Sequence, residues 1–307
     1  MIATTSSAMS TPGIMLMRAG RAGCALRWDH HAQCWRWPDP HGAQLYAWPA
    51  PSGMGSGVRL LEGACALAAC ASGRVLLGQG KRIALAELPA PGSGARPLQT
   101  QVLITVDAAE PRTAISDGCL DRAGYFVFGT ANTASDQRPI GSFYQYSQRH
   151  GLRRLALPVV VRAGGIAFST DGARMWFADS ANGNILQCDY DAERARVGNV
   201  TTFAEAGSVG AAVMDSGDRL WSVQGGELVQ YASDGAVLRR IALAREAAAA
   251  LAFGGDDLGQ LLLLGADGGL YGLPTGLAGD GVRGVAEVPF DDLALATRAA
   301  GQVRVAQ

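Results

Sequence analysis

Few residues in this chain could do chemistry, and none marks a site by local spacing. Six cysteines stand at Cys24, Cys34, Cys65, Cys70, Cys119 and Cys188. No two form a CxxC pair, and no histidine lies at zinc-finger spacing from any of them. The even count allows disulfides, but these cysteines read better as small buried hydrophobes in a reducing compartment. The histidines fall in turns. His30 and His31 are adjacent and point apart, so they cannot easily chelate one metal ion, and His41 and His150 each precede a glycine. Asp117, in the run Ser116-Asp117-Gly118, has two readings. It can hold a ligand hydroxyl or act as a general base once burial raises its pKa. It can equally cap a turn at Gly118 by accepting backbone N–H groups. Asp171, Asp179 and Asp218 read as turn residues of that second kind.

The elements that must position these groups repeat. Six passages share one pattern, in which an apolar run, a turn rich in Asp, Gly or Ser, and a second apolar or aromatic run follow one another. Trp35, Val75, Phe126, Met175, Leu220 and Leu261 mark the second run of each passage. Their spacing is about 40 to 50 residues, the period of a β-propeller with four short strands per blade. The predicted fold is all-β, a six-bladed β-propeller of four-stranded antiparallel blades. Its ligand site would lie at the mouth of the central tunnel.

Residues 1–12 are expected to be disordered, 13–292 to form the single propeller domain, and 293–307 to be a tail with a short helical pattern. Ile14 to Met17 reads as an N-terminal strand that completes the last blade, with Val282 to Pro289 supplying C-terminal partner strands, so that the closed ring hides its edges. Pro89 to Pro97 reads as an exposed connection. Arg239 to Ala252 has helical propensity, but its place in the repeat predicts strand and loop. The tryptophans are assigned to packing between blades.

Composition narrows the partners. Apolar residues make up 48% of the chain, charged residues 17%, and the net charge is -1. With no basic stripe, nucleic acid is not an expected partner. The apolar N-terminal stretch is too short for a signal or a membrane span. The expectation is a cytoplasmic protein with a small-molecule ligand and no membrane partner.

Two passages resemble one family closely. SDGCLDRAGYFVFGTAN, from Ser116, and GGIAFSTDGARMWFADSANGNILQCDYD, from Gly164, are similar to motifs of the regucalcin (senescence marker protein)/gluconolactonase family. Weaker similarity runs through ALRWDHHAQCWRWPD, GAAVMDSGDRLWSV and LAFGGDDL. The resemblance implies a six-bladed propeller that holds a divalent cation (Ca, Zn, Mn or Mg) in its tunnel and hydrolyses sugar lactones. The family's cation ligands are a Glu, an Asn and an Asp, and here those positions fall on Cys24, Gly164 and Val209. A further family Asn, which holds metal-bound water or substrate, falls on Ser116, with Asp117 retained after it.

The chain is therefore expected to be a divergent member with no metal cofactor at the ordinary site. Asp117 is the candidate catalytic residue. Ser116, Asp117, Arg162 and Cys24 are the candidate ligand-binding residues. Arg162 would take over the charge vacated by the cation and bind an acidic ligand. Cys24 could be a nucleophile or a soft ligand, though a small inward-facing residue accounts for it as well. The leading function is hydrolysis of a sugar lactone or related ester at an altered site. The alternative is a metal-free propeller that binds a small ligand, such as an acidic sugar, or plays a regulatory role.

Overall fold

A computed structural model describes residues 14–18, 23–49, 55–89, 96–243, 248–273, 278–279 and 281–295. The described chain forms six four-stranded antiparallel sheets. Blade 1 holds β2 (Arg27–Asp29), β3 (Cys34–Asp39), β4 (Gln44–Pro49) and β5 (Ser56–Arg59). Blade 2 holds β6 (Ala66–Ala69), β7 (Val75–Gln79), β8 (Arg82–Ala86) and β9 (Thr100–Thr105). Blade 3 holds β10 (Thr113–Leu120), β11 (Phe126–Asn132), β12 (Phe143–Ser147) and β13 (Gly151–Arg154). Blade 4 holds β14 (Ala163–Phe168), β15 (Arg174–Asp179), β16 (Asn184–Asp191) and β17 (Arg196–Glu205). Blade 5 holds β18 (Ala212–Met214), β19 (Leu220–Gln224), β20 (Glu227–Tyr231) and β21 (Val237–Ala242). Blade 6 holds β22 (Ala248–Gly254), β23 (Gln260–Gly265), β24 (Gly269–Gly272) and, as its outer strand, β1 (Ile14–Arg18).

Each landmark residue of the repeat lies in the second strand of its blade. Those strands are apolar along their length because neighbouring blades cover both of their faces. In β7, β11 and β19 every residue is buried. The outer strands β9, β17 and β21 face solvent and carry polar residues. The hydrophobic core is accordingly six clusters, each shared by two adjacent blades. Trp35, Trp37 and Trp48 of blade 1 meet Leu262, Leu264 and Leu270 of blade 6 in one of them. Phe143 of blade 3 meets Phe177 of blade 4 at 5.0 Å in another. Burying a large apolar side chain of this kind contributes about 1.5–3 kcal/mol; the interface between blades 1 and 2 is held by aliphatic residues such as Leu45, Leu67 and Leu77 instead of aromatic ones.

Aspartates set the turns between first and second strands. Asp121 Oδ1 accepts the N–H groups of Ala123 and Tyr125, both at 2.9 Å. Asp215 repeats the device with Gly217 and Arg219, at 2.9 and 3.1 Å. Asp171 acts in the same way in blade 4, and Asp179 does so in the turn between that blade's second and third strands. Asp218 instead latches two blades together by accepting the Thr170 N–H at 2.7 Å.

Ring closure differs from expectation in one part. β1 does complete blade 6, but its partner is β24, in antiparallel register from Ile14 opposite Gly272 to Arg18 opposite Gly269. Val282 to Pro289 forms no strand in that sheet, because β1 already occupies the edge. It crosses the ring as a strap instead. Ser216 donates to the Arg283 carbonyl and Gly284 to the Leu258 carbonyl, while the Ala71 N–H donates to the Phe290 carbonyl and the Phe290 N–H to the Ala69 carbonyl. Asp292, fully buried, ends the strap on Ser72 and Arg74.

Residues 237–242 and 248–254 are strands, as the repeat predicts. A helical turn begins at 293. The segments 1–12 and 90–95 lie outside the described residues, as does most of 293–307.

Candidate functional site

The first strands of the blades line the tunnel. Their entry ends (the residues before and at the start of each strand) gather around a cavity of about 290 Å³. Cys24, Ser116, Asp117, Arg162, Gly164 and Val209, the candidates drawn from four separate blades' passages, all line it. Arg27 and Cys65 line it too, and the sequence reading had assigned neither of them to the site. None of the four histidines lines this cavity.

Bulges aim the site residues inward. In β10 the register slips between Ile115 and Asp117, so Ser116 is the extra residue. In β14 it slips between Gly164 and Ala167, and Gly165 takes a φ of +62° that a glycine adopts without strain. A third bulge lies between Ala248 and Ala250 in β22. An extra residue bends the strand and turns consecutive side chains toward the axis.

Asp117 shows the effect. The expected turn at Gly118 is absent, and both residues sit inside β10, because the bulge rather than a chain reversal supplies the local irregularity. The carboxylate accepts the Gly118 N–H at 2.8 Å and the Ile166 N–H at 3.3 Å. The second bond crosses from blade 3 to the bulge of blade 4. Burial pushes the Asp117 carboxyl above its usual range, against the pull of the Arg27 charge and of backbone N–H groups. Ser116 is tied down, since its hydroxyl donates to the Ala163 carbonyl at 2.8 Å.

Two cations serve the cavity differently. Arg27 starts in blade 1 and reaches the Gly118 carbonyl in blade 3 at 2.7 Å, while its other terminal nitrogen holds the Leu26 carbonyl at 2.8 Å. Glu287 of the strap pairs with it at 3.6 Å. Arg27 also lines a second cavity of about 460 Å³ on the turn side of the ring, bounded by Trp28, Phe253, Glu287 and Pro289. It therefore forms the floor between two chambers. Arg162 stands exposed at the rim. Its backbone is fixed by Asp179, whose carboxylate accepts the Arg162 N–H at 3.1 Å. Among the described residues its guanidinium has no hydrogen-bond or ion-pair partner.

The two thiols form a pair. Cys24 precedes blade 1 and Cys65 precedes blade 2, and both thiols line the cavity as neighbours. Cys24 Sγ also lies 3.2 Å from the Ala64 carbonyl oxygen, which accepts from it. The Cys65 partner and burial hold the Cys24 thiol well above its usual pKa. The neighbouring Cys24 thiol draws Cys65 below its own, helped by Arg162 and opposed by burial and Asp117. Reading Cys24 as an isolated small residue missed this, because nothing local to either position signals the other.

A divalent cation of the kind the family resemblance implies takes six or more oxygen ligands, or a compact set of nitrogen, sulfur and carboxylate donors. At the three matched positions this chain offers a thiol, a glycine with no side chain, and Val209, which is 4% exposed and packed in the core between blades 4 and 5. Ser180 Oγ occupies the space that a Cβ at Gly164 would enter. Among the described residues, no three His, Cys, Asp or Glu side chains are grouped so as to hold a metal ion. These residues do not fit such a cation. Among the described residues, no helix is long and apolar enough to cross a membrane.

Residues 23–266 match the family described as the SMP-30/Gluconolactonase/LRE-like region. The chain is 34% identical over 165 residues to an L-arabinolactonase of Azospirillum brasilense, covering 52% of this chain and 54% of that protein. It is 30% identical over 154 residues to a 6-deoxy-6-sulfogluconolactonase of Pseudomonas putida, covering 48% and 52%. The chain thus spans about half the length of these curated relatives. Among solved structures it superposes on a luciferin-regenerating enzyme with a TM-score of 0.80 at 20% identity, over 91% of this chain and 98% of that one. A calcium-binding protein, regucalcin, from Agrobacterium tumefaciens gives a TM-score of 0.78 at 18% identity, over 91% and 96%. At these identities the two structures speak to the fold alone.

Proposed function

The chain belongs to the SMP-30/gluconolactonase/LRE-like family, and from that premise we propose that it hydrolyses a sugar lactone or a related cyclic ester with tunnel residues other than the family's cation ligands. The observation that carries this reading is the convergence of Asp117 and Arg162 on one small cavity. At about 290 Å³ the cavity lies near the lower end of ligand pockets, about 300 Å³ and upward, which suits a single sugar ring.

Asp117 is the general base. Backbone N–H groups orient its carboxylate, and burial raises its pKa, which strengthens it as a base. It takes a proton from a water molecule as the oxygen adds to the lactone carbonyl carbon. The new oxyanion pairs with the Arg162 guanidinium, which presents planar donors to a carboxylate-like group. Collapse breaks the ring C–O bond, and Asp117 returns its proton to the departing alkoxide. The product is a hydroxy acid whose carboxylate remains opposite Arg162. The Arg27 charge opposes the effect of burial and favours the ionised form of Asp117.

A second reading, a propeller that binds an acidic sugar without hydrolysing it, is favoured by the unpartnered Arg162 together with the lost cation ligands. Assays on gluconolactone and arabinolactone with and without EDTA separate the two. Hydrolysis that resists EDTA and is lost in Asp117→Asn supports the proposed reaction. Activity that EDTA abolishes overturns it. No turnover on a broad lactone panel, with sugar-acid binding retained, establishes the second reading.

A further inference from the structure

We propose that Cys24 and Cys65 are a peroxide-reactive dithiol, a modification site that closes reversibly to a disulfide joining blade 1 to blade 2 at the wall of the tunnel cavity. Three observations converge on it. Cys24 Sγ lies 3.2 Å from the carbonyl oxygen of Ala64, the residue bonded to Cys65, so the two thiols are neighbours although they come from separate blades. Both are half-buried and line the open cavity, whereas Cys34, Cys70, Cys119 and Cys188 are buried. Both backbones are pinned: the Cys24 N–H donates to the Pro38 carbonyl at 3.2 Å and the Cys65 N–H to the Gly78 carbonyl at 2.9 Å. Two thiols held side by side lose little conformational freedom when they join.

The surroundings also assign the order of attack. The neighbouring Cys24 thiol and the Arg162 charge favour the thiolate at Cys65, and a thiolate is the nucleophile in thiol chemistry. Cys65 sulfur attacks one oxygen of hydrogen peroxide and the O–O bond breaks. The departing hydroxide takes up a proton and leaves as water, and Cys65 is oxidised to a sulfenic acid. Cys24 sulfur, losing its proton, then displaces the hydroxyl group from Cys65 as a second water. In sum, two thiols are oxidised to one disulfide and one peroxide is reduced to two waters. A dithiol reductant reverses the bond by exchange. The buried cysteines are poor competitors, because burial pushes the thiols of Cys34, Cys70, Cys119 and Cys188 up.

The test uses the full-length reduced protein and does not depend on its activity. Native alkylation should label two of the six cysteines, and treatment with hydrogen peroxide should abolish that labelling and lower the intact mass by about two hydrogens. Peptide mapping should join the Cys24 and Cys65 peptides, and dithiothreitol should restore both thiols. In Cys24→Ser, Cys65 should accumulate as a sulfenic acid trapped by dimedone, and Cys65→Ser should lose the reaction. An unchanged mass, a disulfide between any other pair, or a bond between two chains overturns the proposal. The alkylation and mapping of the unmutated protein decide it even where a variant fails to fold.

Discussion

Arg27 of the first blade donates a hydrogen bond to the backbone carbonyl of Gly118 in the third blade at 2.7 Å, crossing the tunnel beneath Asp117. This bond brings a half-buried cation beside the acid and closes the floor of the cavity. The strap enters the same arrangement, since Glu287 meets the guanidinium from the opposite chamber. One side chain thus links the catalytic candidate, the ring wall and the C-terminal crossing.

The state of Asp117 should set the acid limb of lactone hydrolysis. Burial raises its pKa, so kcat/KM should begin to fall, on lowering the pH, above the ordinary aspartate value of about 3.9. Asp117→Asn should lower kcat/KM by about 100- to 10,000-fold, the usual range for a lost general base. Arg27→Met removes the foremost influence that lowers this pKa, and should move the limb to still higher pH. A pH–rate profile of the three proteins checks both statements, and a limb unmoved in Arg27→Met counts against the assignment.

The same group affects stability with a defined sign. Asp117 binds its proton more tightly folded than unfolded, so its contribution to stability should fall as pH rises from the unfolded pKa through the folded one. Asp117→Asn should flatten that fall and leave the acid side of the curve unchanged. Urea denaturation at a series of pH values measures the difference.

Arg162 should confer a preference for acidic ligands. Sugar acids should bind about tenfold more tightly than the corresponding neutral lactones, consistent with one charge-assisted hydrogen bond at an exposed rim. Arg162→Ala should erase the preference and leave the fold intact. Titration calorimetry on both proteins is the check, and equal affinities in the parent would sink the role.

No stoichiometric divalent metal is expected after dialysis, by elemental analysis. Restoring the oxygen donors with Cys24→Glu, Gly164→Asn and Val209→Asp should raise calcium affinity in a calorimetric titration. Ser180→Ala should accompany these changes, because Ser180 Oγ stands where the new Asn side chain must begin. About one Ca, Zn or Mn per chain in the parent would contradict the expectation.

Asp215 should be among the costliest turn residues to lose. Its fully buried carboxylate receives Arg219 and the Trp221 Nε1–H, both at 2.9 Å, as well as two backbone N–H groups. Asp215→Ala leaves these donors unpaired and should cost about 3 kcal/mol or more, seen as a lower Tm in calorimetry. A change under about 0.5 kcal/mol, the level of a surface substitution, would show that water replaces the carboxylate without loss.

The blade count, the place of every second strand and the closing role of Ile14 to Met17 were legible in the chain by itself. Each rests on local physics: a strand covered on both faces must be apolar along its length, and a chain reversal between strands needs Gly, Asp or Ser. The candidates Cys24, Ser116, Asp117, Arg162, Gly164 and Val209 could also be named, because the resemblance to the family's motifs pointed to those positions. Only the tertiary structure decided what those residues touch. Val282 to Pro289 became a strap because β1 had taken the free edge. Asp117 lies within a strand because a bulge at Ser116, not a turn, breaks the ladder. The Arg27 contact spans three blades, and the pair of Cys24 and Cys65 joins two. Periodicity reports only the burial of a residue's own element. Contacts across the tunnel depend on how six sheets pack into one ring, and no local pattern encodes that distance.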